Sequence, residues 1–275
     1  MSVEFDVVID SPDGLSVDMQ TGLQTLQGVS DAVRSISQAI LDEGSVPERL
    51  THASNVRTSL METFEGSYGQ VFSLELFNEE LNRELQVIGK PVFAELISYF
   101  LNDALYQTKD VVSPKAQEVL KRLNDKSEAI SQQLRKSILV KIHKVPSIFG
   151  YEVKIRHRLG NHRKILGEFT QETAKVLVAK ESRDRVNLRV SITRLNINTG
   201  NGRFLIEGAT EIVAFGFGSG YKFIAAPAKK KISENLSYNN TVASEAWRVL
   251  EIAATKIERR DGKILKYIIK EVHGD

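Results

Sequence analysis

The chain has 275 residues, no cysteine, 41% hydrophobic residues and a formal net charge of +2. This length and apolar content suit two modest domains, each with its own core. The absence of cysteine excludes disulfide frameworks, thiolate metal ligands and thiol nucleophiles, and it favours a reducing compartment. The N-terminus does not read as a secretory signal, and no apolar run approaches the roughly 18 residues that cross a bilayer. We therefore expect a cytoplasmic protein without a membrane partner.

The near-neutral charge is the sum of two opposite contributions. Residues 1–110 contain 18 acidic and 6 basic side chains, a net charge of −12. Residues 111–275 contain 17 acidic and 31 basic side chains, a net charge of +14. An asymmetry of this size indicates two modules with different surfaces, and the basic module is a candidate for binding a polyanion.

The N-terminal part is predicted to mix strands and helices. Residues 3–9 read as a strand closed by a turn, and apolar residues then recur every three or four positions from Met19 to Ile40, as in an amphipathic helix. Residues 55–77 predict a hairpin that pairs with the first strand. Helical spacing returns in residues 81–105, with a break at Gly89-Lys90-Pro91, and again from Pro114 to about residue 144.

The C-terminal part is predicted to be mainly β. The segment Val145-Pro146 breaks the helical pattern, which places an acidic α+β domain at residues 1–146 and a basic domain at residues 147–275. Residues 186–196 alternate apolar and polar side chains and turn back into residues 203–207, and further strands fit residues 210–217, 247–257 and 263–272. The fold class is therefore α+β, with a small barrel or curved antiparallel sheet of the oligonucleotide-binding or SH3-like kind.

Three clusters of basic side chains form the candidate site for nucleic acid or another polyanion. Such side chains gain affinity by releasing the counterions of a phosphate backbone, although charge runs are more often solvated surface. In the second cluster the arginines share one face of a strand, because even numbers of residues separate them, and Arg194 joins that face only through a bulge. The clusters are Lys154, Arg156, Arg158, Arg163 and Lys164; Arg183, Arg185 and Arg189; and Lys229, Lys230 and Lys231.

Other motifs are weighed against structural explanations. The glycine-rich residues 216–220 resemble a phosphate loop, but Tyr221 to Ile224 are predicted to continue as a strand, so we interpret the segment as a hairpin tip. The pair His157 and His162 lacks thiolate and carboxylate partners, and neither a metal site nor a cofactor is expected. Four aspartates can hold a magnesium ion, but turns and helix N-termini also favour this residue type. They are Asp6, Asp10, Asp13 and Asp18.

These observations favour a non-enzymatic binding or adaptor protein. Its C-terminal domain is expected to engage nucleic acid or another polyanion, and its N-terminal domain to contact protein. The alternative is a structural subunit of a homo-oligomer or larger assembly, held by contacts between acidic and basic domains. A metal-dependent, nuclease-like enzyme built on the aspartates is a third hypothesis.

Overall fold

A computed structural model describes residues 2–12, 16–42, 54–64, 68–107, 113–123 and 126–273. The chain divides into two compact units, Met1–Leu177 (unit 1) and Val178–Asp275 (unit 2). Unit 1 contains a sheet covered by helices, and unit 2 contains a closed β-barrel. The predicted α+β class with a β-rich C-terminal part is confirmed. No helix in the described ranges is both long and apolar enough to cross a bilayer.

The sheet of unit 1 has five antiparallel strands in the order β2-β3-β1-β4-β5. Alternate residues of β1, such as Phe5 and Val7, point into the core, so the residues between them, such as Asp6, lie on the opposite face. The predicted first strand and hairpin are therefore confirmed. The strands are β1 (Ser2–Asp10), β2 (Val56–Phe64), β3 (Tyr68–Leu76), β4 (Glu152–Leu159) and β5 (His162–Phe169).

Helices supply the other half of the unit 1 core, and the break predicted at Gly89 separates α2 from α3. A side chain at Gly28 of α1 would lie within 2.9 Å of atoms of Lys141 and Ile142, so glycine permits the close crossing of α1 and α6. The helices are α1 (Met19–Leu41), α2 (Glu79–Ile88), α3 (Lys90–Ala104), α4 (Pro114–Leu123), α5 (Lys126–Gln133), a π-helical turn (Leu134–Ile138), α6 (Leu139–Ile142), α7 (Lys144–Phe149) and α8 (Gln171–Ala174).

The division between the units differs from the predicted domain boundary at residues 146/147. Strand β4 pairs with β1, with Asp6 opposite Arg156, and β5 pairs with β4. Residues 147–177 therefore belong to unit 1. Hydrogen bonding between distant strands causes this difference. The helix break predicted at Val145-Pro146 is wrong, because Pro146 lies in the first turn of α7, where a helix tolerates proline.

The barrel of unit 2 is closed by five strands in the order β7-β8-β9-β11-β10, with β10 returning to β7. The pairs are antiparallel except for β9 and β11, which are parallel. A short strand, β6, pairs with the end of β10. The strands are β6 (Lys180–Glu181), β7 (Val186–Leu195), β8 (Gly202–Ile206), β9 (Ile212–Phe217), β10 (Leu250–Glu258) and β11 (Ile264–Val272).

Helix α9 (Ala226–Asn239) lies in the connection between β9 and β10 and was not predicted. Its Ile232 belongs to the barrel core, and the Asn235 side-chain oxygen accepts a hydrogen bond of 2.8 Å from the backbone N–H of Ile192. A bulge in β7 follows Ile192 directly. In chain order, α9 therefore lies between the third and fourth barrel strands.

Candidate nucleic-acid interface

One end of the barrel brings together loops that are far apart in the sequence. The loop of residues 196–201 joins β7 to β8, and residues 218–225 join β9 to α9. At Gly200 an added Cβ would lie 2.7 Å from the Tyr221 ring, so the two loops touch. The Lys266 amine on β11 donates a hydrogen bond of 2.8 Å to the side-chain oxygen of Asn201.

We define the cationic rim as the basic and exposed apolar side chains around these loops. Arg194 lies opposite Arg203 across β7 and β8, because the bulge in β7 turns Arg194 onto the outer face. The Lys229 amine donates to the carbonyl oxygen of Lys222 at 3.2 Å and lies over the Tyr221 ring. The cationic rim comprises Arg194, Arg203, Lys222, Lys229 and Lys266, together with Ile197 and Phe223.

The electrostatics of the cationic rim follow from the sequence of its segments. Residues 190–206 and 212–233 contain six lysines and arginines and no aspartate or glutamate. A local excess of basic over acidic residues creates a positive potential that attracts anions. Unit 2 as a whole has 17 basic and 11 acidic side chains, a net charge of +6.

The glycine-rich segment leads into a helix rather than a strand. Residues 221–224, predicted to continue as a strand, instead contain a 3₁₀ turn (Tyr221–Phe223), and α9 begins at Ala226. No side chain caps the N-terminus of α9. The first N–H groups of a helix carry a partial positive charge that favours anions, so this end of α9 adds to the charge of the rim.

Two apolar side chains of the cationic rim are exposed. Phe223 and Ile197 each retain 70% of their accessible surface, and the Lys222 amine lies 4.8 Å from the centre of the Phe223 ring. An exposed aromatic ring among cations is the arrangement that stacks an unpaired base while the cations bind phosphates.

The predicted basic residues of unit 2 fall on several surfaces. Arg183 and Arg185 precede β7, so the expectation that both lie on one strand face with Arg189 is wrong. Arg185 pairs with Glu271 at 2.6 Å, and Arg189 pairs with Glu207 at 2.8 Å. On α9, Lys229 contacts Lys222 and Tyr221 of the loop that precedes the helix. Lys230 pairs with Glu234 instead, and Lys231 follows it on the helix.

The predicted basic residues 154–164 lie on the hairpin β4–β5 of unit 1. Lys154 pairs with Asp10 and Glu152 at 2.9 and 3.0 Å, and these contacts raise the pKa of its amine. Arg156 contacts Asp6 at 2.5 Å, and Arg158 and Arg163 reach the same carboxylate at 3.5 Å. Residues 153–167 contain no aspartate or glutamate, so the acids that pair with this cluster come from β1 and from Glu152. Lys164 lies opposite His157 in the register of β4 and β5.

The aspartates proposed for a metal site have other partners in the structure. Asp6 and Asp10 bind the basic side chains of β4, and Asp18 caps α1 by accepting a hydrogen bond of 2.9 Å from the Thr21 N–H. Asp13 lies outside the described residues. His157 is buried against Phe5, and burial, together with Lys164 and Lys90, lowers its pKa. Across the described ranges, no three histidine or acidic side chains cluster in a way that could hold a metal ion.

Sequence reasoning did not assign Phe223, Arg203 or Lys266 to a site. The missing signal for Phe223 and Arg203 was readable, because both lie in the acid-free segments of the sequence. Lys266 reaches the rim only because β11 pairs with β9, which is a long-range contact. No protein-family model matches the chain, and no curated protein or solved structure is significantly similar to it.

Proposed function

We propose that the protein is a non-enzymatic binding protein whose C-terminal barrel binds single-stranded nucleic acid at the cationic rim. The observation that carries the proposal is the exposed Phe223 ring beside basic side chains of two segments whose sequence contains no aspartate or glutamate. An unpaired base can stack on the ring, whereas the bases of a duplex are already stacked and unavailable. The five-stranded barrel supports the proposal, since barrels of the oligonucleotide-binding kind bind their ligands across the second and third strands, here β8 and β9.

Removal of the Phe223 ring tests the stacking contact. Stacking contributes about 1–3 kcal/mol per base, so Phe223→Ala should weaken binding of a fluorescein-labelled oligonucleotide of about 15 nucleotides by roughly 5- to 150-fold. The ring is exposed, so the free energy of unfolding should change by less than about 0.5 kcal/mol. Fluorescence anisotropy titrations with DNA and RNA measure the affinity.

Phe77→Ala in unit 1 is the matched control. Phe77 is 57% exposed and lies beneath the guanidinium of Arg57, as Phe223 lies beneath Lys222. The control variant should bind like the unmodified protein. Equal affinities of the Phe223→Ala and Phe77→Ala variants, or no binding by the unmodified protein, would contradict the proposal.

The salt dependence of binding tests the phosphate contacts. Each phosphate contact with a single strand contributes about −0.7 to the slope of log K against log salt concentration, so Lys222→Ala with Lys229→Ala should flatten the slope by roughly 1.4. The control pair, Arg185→Ala with Arg189→Ala, removes two cations that are already paired with glutamates. A slope that both pairs change equally would assign the effect to net charge rather than to the rim.

The adaptor part of the proposal is supported by an apolar groove in unit 1. The groove, of about 270 Å³, lies between α1 and the hairpin β2–β3, and its exposed edge includes Leu23 and Leu60. Apolar surface of this kind is typical of a protein contact. Leu23→Ser with Leu60→Ser should abolish the retention of partner proteins in an affinity pull-down without changing oligonucleotide affinity. If the unmodified protein retains no partner protein, the adaptor function is contradicted.

The opposite charges of the units favour self-assembly as the second candidate. Unit 1 has 20 basic and 24 acidic side chains, a net charge of −4, against +6 for unit 2. Opposite patches steer head-to-tail association of identical chains. Light scattering should then show oligomers at low salt that dissociate at high salt, whereas a monomer at every salt concentration would exclude this candidate.

A further inference from the structure

Three arginines of unit 1 converge on one carboxylate. Asp6 is fully buried on β1, and its two oxygens contact Arg156 at 2.5 Å and Arg158 and Arg163 at 3.5 Å. We call these three side chains the arginine triad. Together with Asp6 the triad has a formal charge of +2.

The contacts within the group are unequal. The 2.5 Å contact satisfies Asp6 through Arg156, whereas charge-assisted hydrogen bonds are normally about 2.7–2.9 Å long, so the 3.5 Å contacts of the other two arginines are weak. Glu62 approaches Arg158 at 3.7 Å but is largely exposed, and exposed pairs of this kind contribute little. Asp6 therefore orients Arg158 and Arg163 without neutralising both.

The position of these two arginines on the sheet is also unfavourable without an anion. Arg158 and Arg163 face each other directly across β4 and β5. Like charges at directly opposed positions destabilise an antiparallel pair. Each guanidinium has five N–H donors, and Arg163 uses one terminal nitrogen on the carbonyl oxygens of Gly160 and His162. Donors therefore remain on both guanidinium groups.

We propose that Arg158 and Arg163 bind a phosphate-type oxyanion on the face of the unit 1 sheet opposite the helices, with Asp6 and Arg156 holding the two arginines in place. Guanidinium forks match the oxygens of phosphate, and the anion would relieve the repulsion between the opposed charges. The nearby Lys154 does not take part, because Asp10 and Glu152 already bind it. This site is independent of the function proposed for the barrel.

The first test measures the melting temperature of the full chain against inorganic phosphate, with chloride added to keep the ionic strength constant. Phosphate should stabilise the unmodified protein and the Phe223→Ala variant, and Arg158→Gln with Arg163→Gln should weaken apparent phosphate affinity at least about tenfold. Arg156 remains in these variants to pair with Asp6. The matched control, Arg185→Gln with Arg189→Gln, should keep the phosphate response.

A second variant keeps the test decisive if the double variant does not fold. Arg163→Lys keeps the charge but replaces the guanidinium fork by an amine, so phosphate affinity should fall by at least about fivefold. Phosphate also stabilises proteins without binding, by exclusion from their surface. An equal phosphate response in all variants would identify that general effect and overturn the proposal.

Oligonucleotide titrations of the same variants distinguish the source of the phosphate. If the anion belongs to a nucleic-acid backbone, loss of Arg158 and Arg163 should also weaken oligonucleotide binding; if it belongs to a free or small phosphorylated molecule, oligonucleotide affinity should be unchanged. Phosphate binding that depends on the two arginines, in a protein that binds no oligonucleotide, would refute the barrel function and leave this site standing.

Discussion

His143 shows how burial alone fixes the protonation state of a side chain. Its Nδ1 lies 2.7 Å from the carbonyl oxygen of Leu139, which can only accept, so Nδ1 carries the proton. Nε2 then accepts from the Thr173 hydroxyl at 2.8 Å. Burial lowers the pKa of His143 to about 4 from an ordinary value of 6.5. The neutral imidazole thus joins α6 to the first turn of α8.

The low pKa of His143 predicts that the protein loses stability in acid. The folded state binds fewer protons than the unfolded state between about pH 6.5 and 4, so stability is complete above pH 6.5 and falls by about 3 kcal/mol across this window. Urea unfolding followed by circular dichroism at about pH 7, 5.5 and 4.5 measures the loss. His143→Gln should show a smaller loss, and a pH dependence as steep as that of the unmodified protein would contradict the assignment.

At the scale of elements, sequence patterns missed α9, and they also predicted a helix break where α7 lies. The apolar core residues of α9, such as Ile232 and Leu236, are few, because one side packs against the barrel core while polar residues occupy most of the rest. The prediction of a strand at residues 221–224 was wrong for a related reason. Their apolar side chains suit a strand, but these residues form a 3₁₀ turn, and Pro227 lies in the first turn of the helix that follows. Propensity is a weak guide where a long-range contact supplies the stabilisation.

The asparagines of α9 should be essential to the stability of the barrel. Asn235 accepts from the Ile192 N–H and donates to the carbonyl oxygen of Arg248 at 3.0 Å, which ties β7 and the segment before β10 to the helix. Asn235→Ala leaves the buried Ile192 N–H without its partner, whereas the Arg248 carbonyl keeps Ser191 and Asn239, so the free energy of unfolding should fall by about 1–3 kcal/mol. The exposed Asn240 serves as the control, since Asn240→Ala should change stability by less than about 0.5 kcal/mol in the same urea titration.

At the scale of the whole molecule, the division into units alters the meaning of the charge asymmetry. Counted by sequence halves the contrast is −12 against +14, but by structural units it is −4 against +6. The reduction occurs because the basic helices after Pro114 and the hairpin β4–β5 belong to unit 1. Net charge per segment therefore overstated how basic the barrel is, while the acid-free rim segments located its charge more accurately.

The unit boundary predicts which C-terminal fragment folds. A fragment of residues 178–275 contains every barrel strand and should show a cooperative thermal transition and dispersed amide NMR signals. A fragment of residues 147–275 also contains β4 and β5 without β1, which exposes an unpaired strand edge, so it should aggregate. Equal solubility and cooperativity of the two fragments would contradict this account.

By itself the sequence determined the local elements: the first strand, the amphipathic α1, the hairpin β2–β3 and the turns of the barrel. Each is specified by neighbouring residues, through apolar periodicity, capping and glycine-containing turns. Only the tertiary structure decided that β4 and β5 complete the first sheet, that α9 packs against the barrel core, and that Lys266 donates a hydrogen bond to Asn201. Those contacts join residues far apart in the chain, and local patterns do not specify which distant strand satisfies a strand's hydrogen bonds.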